Sequence, residues 1–323
     1  MLLRRRDLVA GAGAALALGP KAFAAPDFPR GDINFIIPYA PGGGFDSYVR
    51  QVIPPLQGTL PKHVNVVPTN IDGAGGAKAV TQLYHARPDG QTIGIISLPG
   101  AIVLQMVQGG GGYDLSKLTW LGNMGRDAYG ICVGANSPFK TFADLMATSK
   151  KRTLKFTSTG VASTGRTGTL IASKLLGFPV QMITGYKGTS EYLLAAARGD
   201  GDAACCSLTS MQALAKAGVI RIIASFEPQS SIPGIPDATA LKQPELSKIQ
   251  EFRALAAPPK LPPDIQQILS ASLFRAIQDP KMVAWGKARG ANLKPETAAA
   301  TVQILQEQTA FMQKWKSVLA VGA

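Results

Sequence analysis

Short apolar runs alternate with helix-like segments in the first third of the chain. Residues 33–39, 64–67 and 92–97 have the composition of β-strands, and a glycine- or proline-containing bend follows each of them. Helical spacing resumes after each bend, and the first helix, which begins near Asp46, is expected to end near Ile53, before Pro54 and Pro55. This alternation predicts a parallel sheet that is covered by helices on both faces.

A second series of the same kind follows. It is succeeded by a proline-rich stretch at 228–236, one further strand at 252–256 and a group of terminal helices. The predicted strands of the second series are 129–133, 154–157, 181–183, 203–206 and 220–224, and the predicted later helices are 164–176, 190–198, 209–217, 262–276, 280–288 and 296–316. The pattern therefore predicts an α/β protein built from two series of strand–helix units.

The first 24 residues have the features of an export signal. An arginine run at 4–6 precedes an apolar stretch at 8–18, and residues 22–24 form an A-x-A cleavage site. The arginine run suggests twin-arginine export, and an ordinary secretory signal is the alternative. Later apolar stretches in the sequence are too short to span a bilayer. The mature protein, cleaved near Ala24, is therefore expected in the periplasm.

Composition narrows the class of partner. The 323 residues are 46% hydrophobic and 16% charged, which excludes a disordered chain. The chain carries a formal net charge of +13, and +10 remains after residues 1–24 are removed because that segment holds four basic residues and one acidic residue. The basic residues are scattered, and export makes nucleic acid an unsuitable partner. We expect the charge to attract small anions.

Sequence motifs for catalysis, metals and cofactors are missing. The chain has two histidines and lacks G-x-S-x-G, H-E-x-x-H and paired C-x-x-C patterns, and its glycine bends do not fit the nucleotide-binding motifs. We therefore expect no enzyme, no metal and no cofactor, and a function in binding. Cys132, Cys205 and Cys206 are expected to be buried strand residues, and a disulfide between Cys132 and either of the others is left open.

Three bends are the candidate binding surfaces. The first bend (residues 41–46) and the second bend (residues 73–76) are rich in glycine, and the third bend (residues 158–165) adds hydroxyl groups. Ligands of open α/β sheets bind beyond the carboxyl ends of the strands. Glycine lets the backbone approach a ligand closely, and free amides at a helix start suit an anion. Two such surfaces facing each other would hold the two ends of a dicarboxylate.

An ordered set of motifs resembles one family. Residues 38–46 are PYAPGGGFD, and GAGG at 73–76, RPDG at 87–90 and GYKG at 185–188 follow in order. The set is similar to the solute-binding proteins of tripartite tricarboxylate transporters, the Bug family, over nearly the whole mature chain. The resemblance implies a two-lobed, periplasmic-binding-protein-like α/β fold with the ligand cleft between the lobes.

The resemblance also implies how the chain is divided. Residues 27–126 together with residues 226–323 would form lobe 1, and residues 127–225 would form lobe 2. The chain would then cross between the lobes twice, so that the lobes close about a hinge. The protein is expected to be a monomer.

The ligand-binding residues implied by the resemblance lie in the bends and at strand ends. They are Gly43, Gly44, Phe45, Asp46, Ala74, Gly75, Gly76, Ser97, Ser158, Thr159, Ser163, Thr164, Arg166 and Ser207. In the family, the first and second bends hold one carboxylate through backbone groups and ordered water. Asp46 is expected to cap the helix start and fix the first bend. Arg166 stands near the place where the family often has a histidine, and it either pairs with a distal carboxylate or is solvated.

The sequence thus predicts a receptor that captures a small organic carboxylate and delivers it to the membrane permease subunits of a tripartite transporter. The ligand would be a di- or tricarboxylate, an aromatic acid or a similar compound. A sensory receptor that presents its ligand to a membrane regulator and an exported enzyme acting on a carboxylated metabolite are the alternatives. The identity of the acid and the number of its carboxyl groups are left open.

Overall fold

The computed structural model describes residues 27–107, 112–161 and 163–320, and the export signal expected at residues 1–24 lies outside them. Within these ranges the apolar runs form a sheet of ten strands. The strands are β1 (Ile33–Ile37), β2 (Val66–Asn70), β3 (Thr92–Ser97), β4 (Thr119–Gly134), β5 (Leu154–Thr157), β6 (Val180–Ile183), β7 (Ala203–Ser207), β8 (Ile220–Ser225), β9 (Gln250–Ala257) and β10 (Leu293–Glu296).

The helices lie between and after these strands. They are α1 (Gly44–Thr59), α2 (Ala77–Tyr84), α3 (Leu98–Val107), α4 (Phe142–Ser149), α5 (Thr164–Leu176), α6 (Thr189–Arg198), α7 (Leu208–Lys216), α8 (Pro263–Ile277), α9 (Pro280–Arg289), α10 (Ala298–Lys314) and α11 (Lys316–Leu319). Of the helices in the described ranges, none has both the length and the apolar character needed to cross a bilayer.

Two half-sheets share strand β4. In the first, β2, β1 and β3 run parallel, and β9 pairs antiparallel with β3 and with residues 119–128 of β4. In the second, β6, β5 and β7 run parallel, and β7 and β8 pair antiparallel with residues 129–134 of β4. Each half-sheet is the centre of one lobe, and β4 joins the two lobes.

The expected two-lobed α/β fold is confirmed, and β1, β2 and β3 of the first series pair parallel as predicted. The sheet as a whole is mixed, because β4 and β9 run antiparallel to their neighbours. Strand β4 carries the chain into the second lobe, and β9 lies beside it after the chain has returned to the first lobe. Neighbouring strands that leave and return in this way run antiparallel. The residue boundaries of the two lobes stay a prediction.

Helix α1 continues six residues beyond its expected end near Ile53, through Pro54 and Pro55, and stops at Thr59. A proline in a helix interior removes one backbone hydrogen bond and clashes with the preceding turn. Helix α1 tolerates it because Tyr48, Val52 and Leu56 are buried against β1 and α8 in one apolar cluster. Tertiary burial therefore outweighs the local preference of proline.

The apolar core continues from one lobe into the other. Ile96 and Ile102 of the first lobe belong to the same buried cluster as Ile131 and Phe156 of the second. Helix α3 contacts α5, and α11 contacts both of them. Since burial of one such side chain contributes about 1.5–3 kcal/mol, this packing holds the lobes together on the side of α3, α5 and α11.

Candidate ligand-binding site between the lobes

Asp46 holds the first bend in shape. Its buried carboxylate accepts hydrogen bonds from the Gly42 amide at 2.9 Å, Arg50 Nε at 2.8 Å and Asn70 Nδ2 at 3.0 Å. Burial works against the charge, but these donors outweigh it and lower the pKa of Asp46. Gly43 is the N-cap of α1 and, as a glycine, has no side chain that could cap the helix. The expected capping bond is therefore not formed, and Asp46 ties the bend to α1 through the Gly42 amide instead.

The main chain of the first bend faces the second lobe. The Gly42 carbonyl accepts a hydrogen bond from Ser190 Oγ at 3.1 Å. A Cβ atom added to Gly44 would lie 2.8 Å from Ser210 Oγ, so a larger residue would have to displace this hydroxyl group. Phe45 is buried, with its ring edge-to-face against Tyr39 at a centroid distance of 5.1 Å.

The second bend depends on left-handed backbone. Gly75 and Gly76 have φ of +67° and +106°, and Ala74 adopts +48°, which is uncommon for a residue other than glycine. A Cβ atom added to Gly76 would lie 3.3 Å from the Tyr39 hydroxyl. The bend therefore lies tightly against the segment that leads into the first bend.

The third bend brings hydroxyl groups from the second lobe. Ser163 Oγ accepts from the Arg166 amide at 3.1 Å and so caps α5, and it lies 2.8 Å from Ser158 Oγ. The buried Thr159 Oγ1 has no hydrogen-bond partner among the described residues. A Cβ atom added to Gly160 would lie 3.2 Å from the Gly75 amide nitrogen. The second and third bends therefore meet across the lobes.

Ser97 and Thr164 meet at the floor of the cleft, together with a carboxyl group that sequence analysis missed. Ser97 Oγ lies 3.0 Å from Thr164 Oγ1 and donates to Glu251 Oε1 at 2.8 Å. The Tyr129 hydroxyl donates to Glu251 Oε2 at 2.7 Å. All four side chains are buried. Burial raises the pKa of Glu251, although Arg253 and the hydroxyl donors act in the opposite direction.

A buried ion pair lies beside Glu251. Arg253 NH2 is 2.7 Å from Asp127 Oδ2, and the two side chains are 1% and 2% exposed. The guanidinium carbon lies 3.9 Å from the centre of the Tyr48 ring. Burial opposes the charge of Arg253, but Asp127, Tyr48 and Glu251 together outweigh it, so that the pKa of Arg253 is raised overall. Arg253 Nε and NH1 have no hydrogen-bond acceptor within the described part of the chain.

Glu251 and Arg253 carried one detectable signal in the sequence. Arg253 lies inside the strand predicted at 252–256, where a charged residue among apolar neighbours is unusual. Glu251 lies two residues before it and on the same face of β9, since side chains alternate along a strand. A search for charged residues inside apolar strands would have found Arg253, whereas Glu251 precedes the predicted strand and its contact with Ser97 could not have been found in this way.

Arg166 and Ser207 have protein partners. Arg166 is buried, and its NH1 donates to the Leu319 carbonyl of α11 at 3.2 Å. Ser207 is the N-cap of α7, and its Oγ donates to Ser210 Oγ at 2.9 Å. Ser207 therefore lies beside the first bend, whereas the Arg166 guanidinium reaches the C-terminal helix.

The lobes are in contact in this structure. The Ala40 amide donates to the Lys187 carbonyl at 3.3 Å, which links the entry to the first bend with the second lobe. A cavity of about 150 Å³ remains between the first bend, the starts of α6 and α7, and the side chains of Trp285 and Arg289 on α9. At the second and third bends the protein's own groups touch, so a ligand between those bends requires the lobes to move apart.

The cysteines lie behind the floor. Cys132, Cys205 and Cys206 are buried and free. Burial raises the pKa of Cys206 to about 12, and that thiol contacts Tyr192. These cysteines therefore remain thiols, and the disulfide left open by the sequence is not formed.

The fold is that of two-lobed solute-binding proteins. The structure of the periplasmic binding protein BugD matches with a TM-score of 0.83 at 21% identity, covering 90% of this chain and 98% of that chain. MatC from Rhodopseudomonas palustris, solved with bound malate, matches with a TM-score of 0.81 at 21% identity, covering 90% of this chain and 100% of that chain.

The sequence comparisons give the family. The profile of the tripartite tricarboxylate transporter family receptor matches residues 49–320, and the chain belongs to this family. A UPF0065 protein of Agrobacterium vitis, from the TAR-I ttuE-ttuC' intergenic region, is 27% identical over 267 residues, which are 81% of this chain and 76% of that relative. The predicted resemblance to the Bug family is confirmed.

Proposed function

We propose that the protein is a periplasmic receptor that captures a small organic carboxylate between its lobes and delivers it to the permease subunits of a tripartite transporter. It would act as a monomer after cleavage near Ala24. The observation that carries this proposal is the meeting of three bends from two lobes around buried hydroxyl groups. MatC, which has the same fold, was solved with bound malate.

The mechanism is binding without chemistry. Backbone amides of the first and second bends and hydroxyls such as Thr159 Oγ1 would replace the water around the ligand's carboxylate. Closing the lobes would then exclude bulk water and strengthen these hydrogen bonds. A ligand favours closure only if it binds the closed form more tightly than the open form. The interlobe contacts at Gly42, Ala40 and Ser97 are the ones that closure would make.

A thermal-shift screen tests the binding step. Purified mature protein is melted with a panel of mono-, di- and tricarboxylates and aromatic acids. A ligand at about 100 times its Kd should add about 2.7 kcal/mol to the free energy of unfolding. A panel without any stabilising acid would refute the proposal. Conversion of a bound acid into a new compound, followed by NMR, would instead make the protein an enzyme.

Delivery requires a separate experiment. Crosslinking of the ligand-loaded receptor to membranes, followed by mass spectrometry, should recover transporter permease subunits. Recovery of a membrane kinase or another regulator in their place would assign the receptor to sensing. The unloaded receptor is the control, because only the closed form is expected to dock.

A further inference from the structure

Glu251 accepts a hydrogen bond from Ser97, which was predicted to bind the ligand, and a second one from Tyr129. Ser97 donates to one of its carboxylate oxygens and Tyr129 to the other, at 2.8 and 2.7 Å. Thr164 Oγ1 of the second lobe lies 3.0 Å from Ser97 Oγ and so belongs to the same cluster. The protein's own carboxyl group therefore lies where the facing bends were expected to hold one end of a dicarboxylate.

The charged groups around Glu251 disfavour the binding of a second anion. The nearest guanidinium, Arg253, is already paired with Asp127 at 2.7 Å. Glu251 is held by hydroxyl donors and is itself buried. The floor thus holds two carboxyl groups against one guanidinium. Like charges brought together in a water-poor interior repel strongly.

We propose that Glu251 is a specificity-determining residue that selects acids with one carboxylate and an uncharged, hydrogen-bond-donating far end over doubly charged acids. The inference rests on the proposed function and adds the charge of its ligand. A second carboxylate of the ligand that reached Ser97 and Thr164 would be repelled by the charge of Glu251. The hydroxyl donors at that place would already be occupied. A hydroxyl or amide at that end would donate to a carboxylate oxygen of Glu251, which has spare acceptor capacity.

Protonation of Glu251 allows a second, independent test. Arg253 of the same strand, Tyr129 of β4, Tyr39 before the first bend and Cys206 of β7 are the titratable groups that act on it. Burial raises the pKa of Glu251. As the pH falls, Glu251 takes up a proton, loses its charge and becomes a donor toward a second carboxylate. Binding of a doubly charged acid should therefore tighten toward lower pH, within the range where the free acid stays doubly ionised.

The experiment compares acids that differ only at the far end. The pairs are succinate with 4-hydroxybutyrate, adipate with 6-hydroxyhexanoate, and terephthalate with 4-(hydroxymethyl)benzoate. Calorimetric titration of the wild type at neutral pH should show at least about tenfold tighter binding of the hydroxy acid in the pair that fits the cleft. Glu251→Gln should lower this preference at least about tenfold, whereas Glu251→Asp, which keeps the charge, should retain it.

The outcomes separate this inference from the proposed function. Equal binding of both members of a pair, a wild-type preference for the doubly charged acid, or an unchanged preference in Glu251→Gln would overturn the inference and leave the receptor proposal intact. Failure of all six acids to bind would also overturn it. The receptor proposal would be refuted only if no acid in the thermal-shift panel stabilised the protein either. If Glu251→Gln does not fold, the pH series on the wild type decides: a doubly charged acid that binds equally at all pH values refutes the inference.

Discussion

Gly76 allows the most direct test of the second bend at the scale of a single residue. Its φ is +106°, and an added Cβ atom would lie 3.2 Å from Pro38 Cβ and 3.3 Å from the Tyr39 hydroxyl. Gly76→Val should weaken binding of the acid found in the screen at least about tenfold, because the amides of the bend would shift. Backbone strain should also lower the free energy of unfolding by about 1–3 kcal/mol. Calorimetric titration and thermal melts measure the two effects.

Gly218→Val is the matched control for that variant. Gly218 follows the far end of α7, has a φ of +68°, and an added Cβ atom would meet open space. The substitution should produce similar backbone strain without changing ligand affinity. A comparable loss of binding in both variants would show that the second bend has no special part in the site.

The charge of Asp46 in the first bend should make the free energy of unfolding depend on pH. Its lowered pKa means that its contribution to stability is present above the unfolded-state value of about 3.9 and is lost as the pH falls through the folded-state value. Asp46→Asn should therefore lower the free energy of unfolding by about 2 kcal/mol near neutral pH and have little effect in strong acid. Urea denaturation at a series of pH values checks this. A difference from wild type that does not depend on pH would contradict the role of its charge.

The residues of the site differed in how far the sequence could predict them. The bends were predictable because glycine and hydroxyl residues directly after strands form a local pattern, and Ser97 and Thr164 do meet. Glu251 was not, because its partner Ser97 lies 154 positions away and no spacing connects them. Such a carboxyl group becomes visible only when the order and direction of the strands are known.

At the scale of the element, Pro54 in α1 offers a gain in stability. The residue is exposed, and it removes one backbone hydrogen bond from a helix that continues to Thr59. Pro54→Ala should restore that bond and raise the free energy of unfolding by about 1 kcal/mol, since part of the helical gain is offset by greater freedom of the unfolded chain. Urea denaturation measures the change.

Pro263→Ala is the control for helix α8. Pro263 is in the first turn of that helix, where a proline has no backbone hydrogen bond to lose. This substitution should bring no gain in stability. A larger gain at Pro263 than at Pro54 would show that the proline in α1 is not a source of strain.

Helices and strands were predicted most accurately where the spacing of their hydrophobic residues follows one period, that of a helix or that of a strand. Strands β3 and β5 and helix α5 have the predicted bounds residue for residue. Strand β4 was expected at 129–133 but begins at Thr119. Its first half was not predicted because Gly122 and Gly125 interrupt the apolar pattern. Both glycines lie where the backbone of the segment around β10 comes close. The first half of β4 is therefore specified by its neighbours in the sheet rather than by its own sequence.

At the scale of the whole molecule, contacts between the lobes are what the sequence could not supply. The order of strands and helices predicted an α/β protein, yet the mixed sheet depends on the pairing of β4 with β9. The core shared by Ile102, Ile131 and Phe156 also joins segments that are distant in the chain. This packing joins the lobes on the side of α3, α5 and α11, so the opening that the proposed function requires is expected on the side of the bends.

Arg166 provides the last test, because its buried guanidinium joins α5 of the second lobe to the Leu319 carbonyl of the C-terminal helix. Arg166→Met should lower the free energy of unfolding by about 2 kcal/mol, the worth of a hydrogen bond from a charged group, and leave ligand affinity nearly unchanged. Lys174→Met, at an exposed position of the same helix, removes the same charge and should do neither. Thermal melts and calorimetric titration separate the effects. A loss of affinity without a loss of stability would contradict this structural role and indicate that Arg166 contacts the ligand.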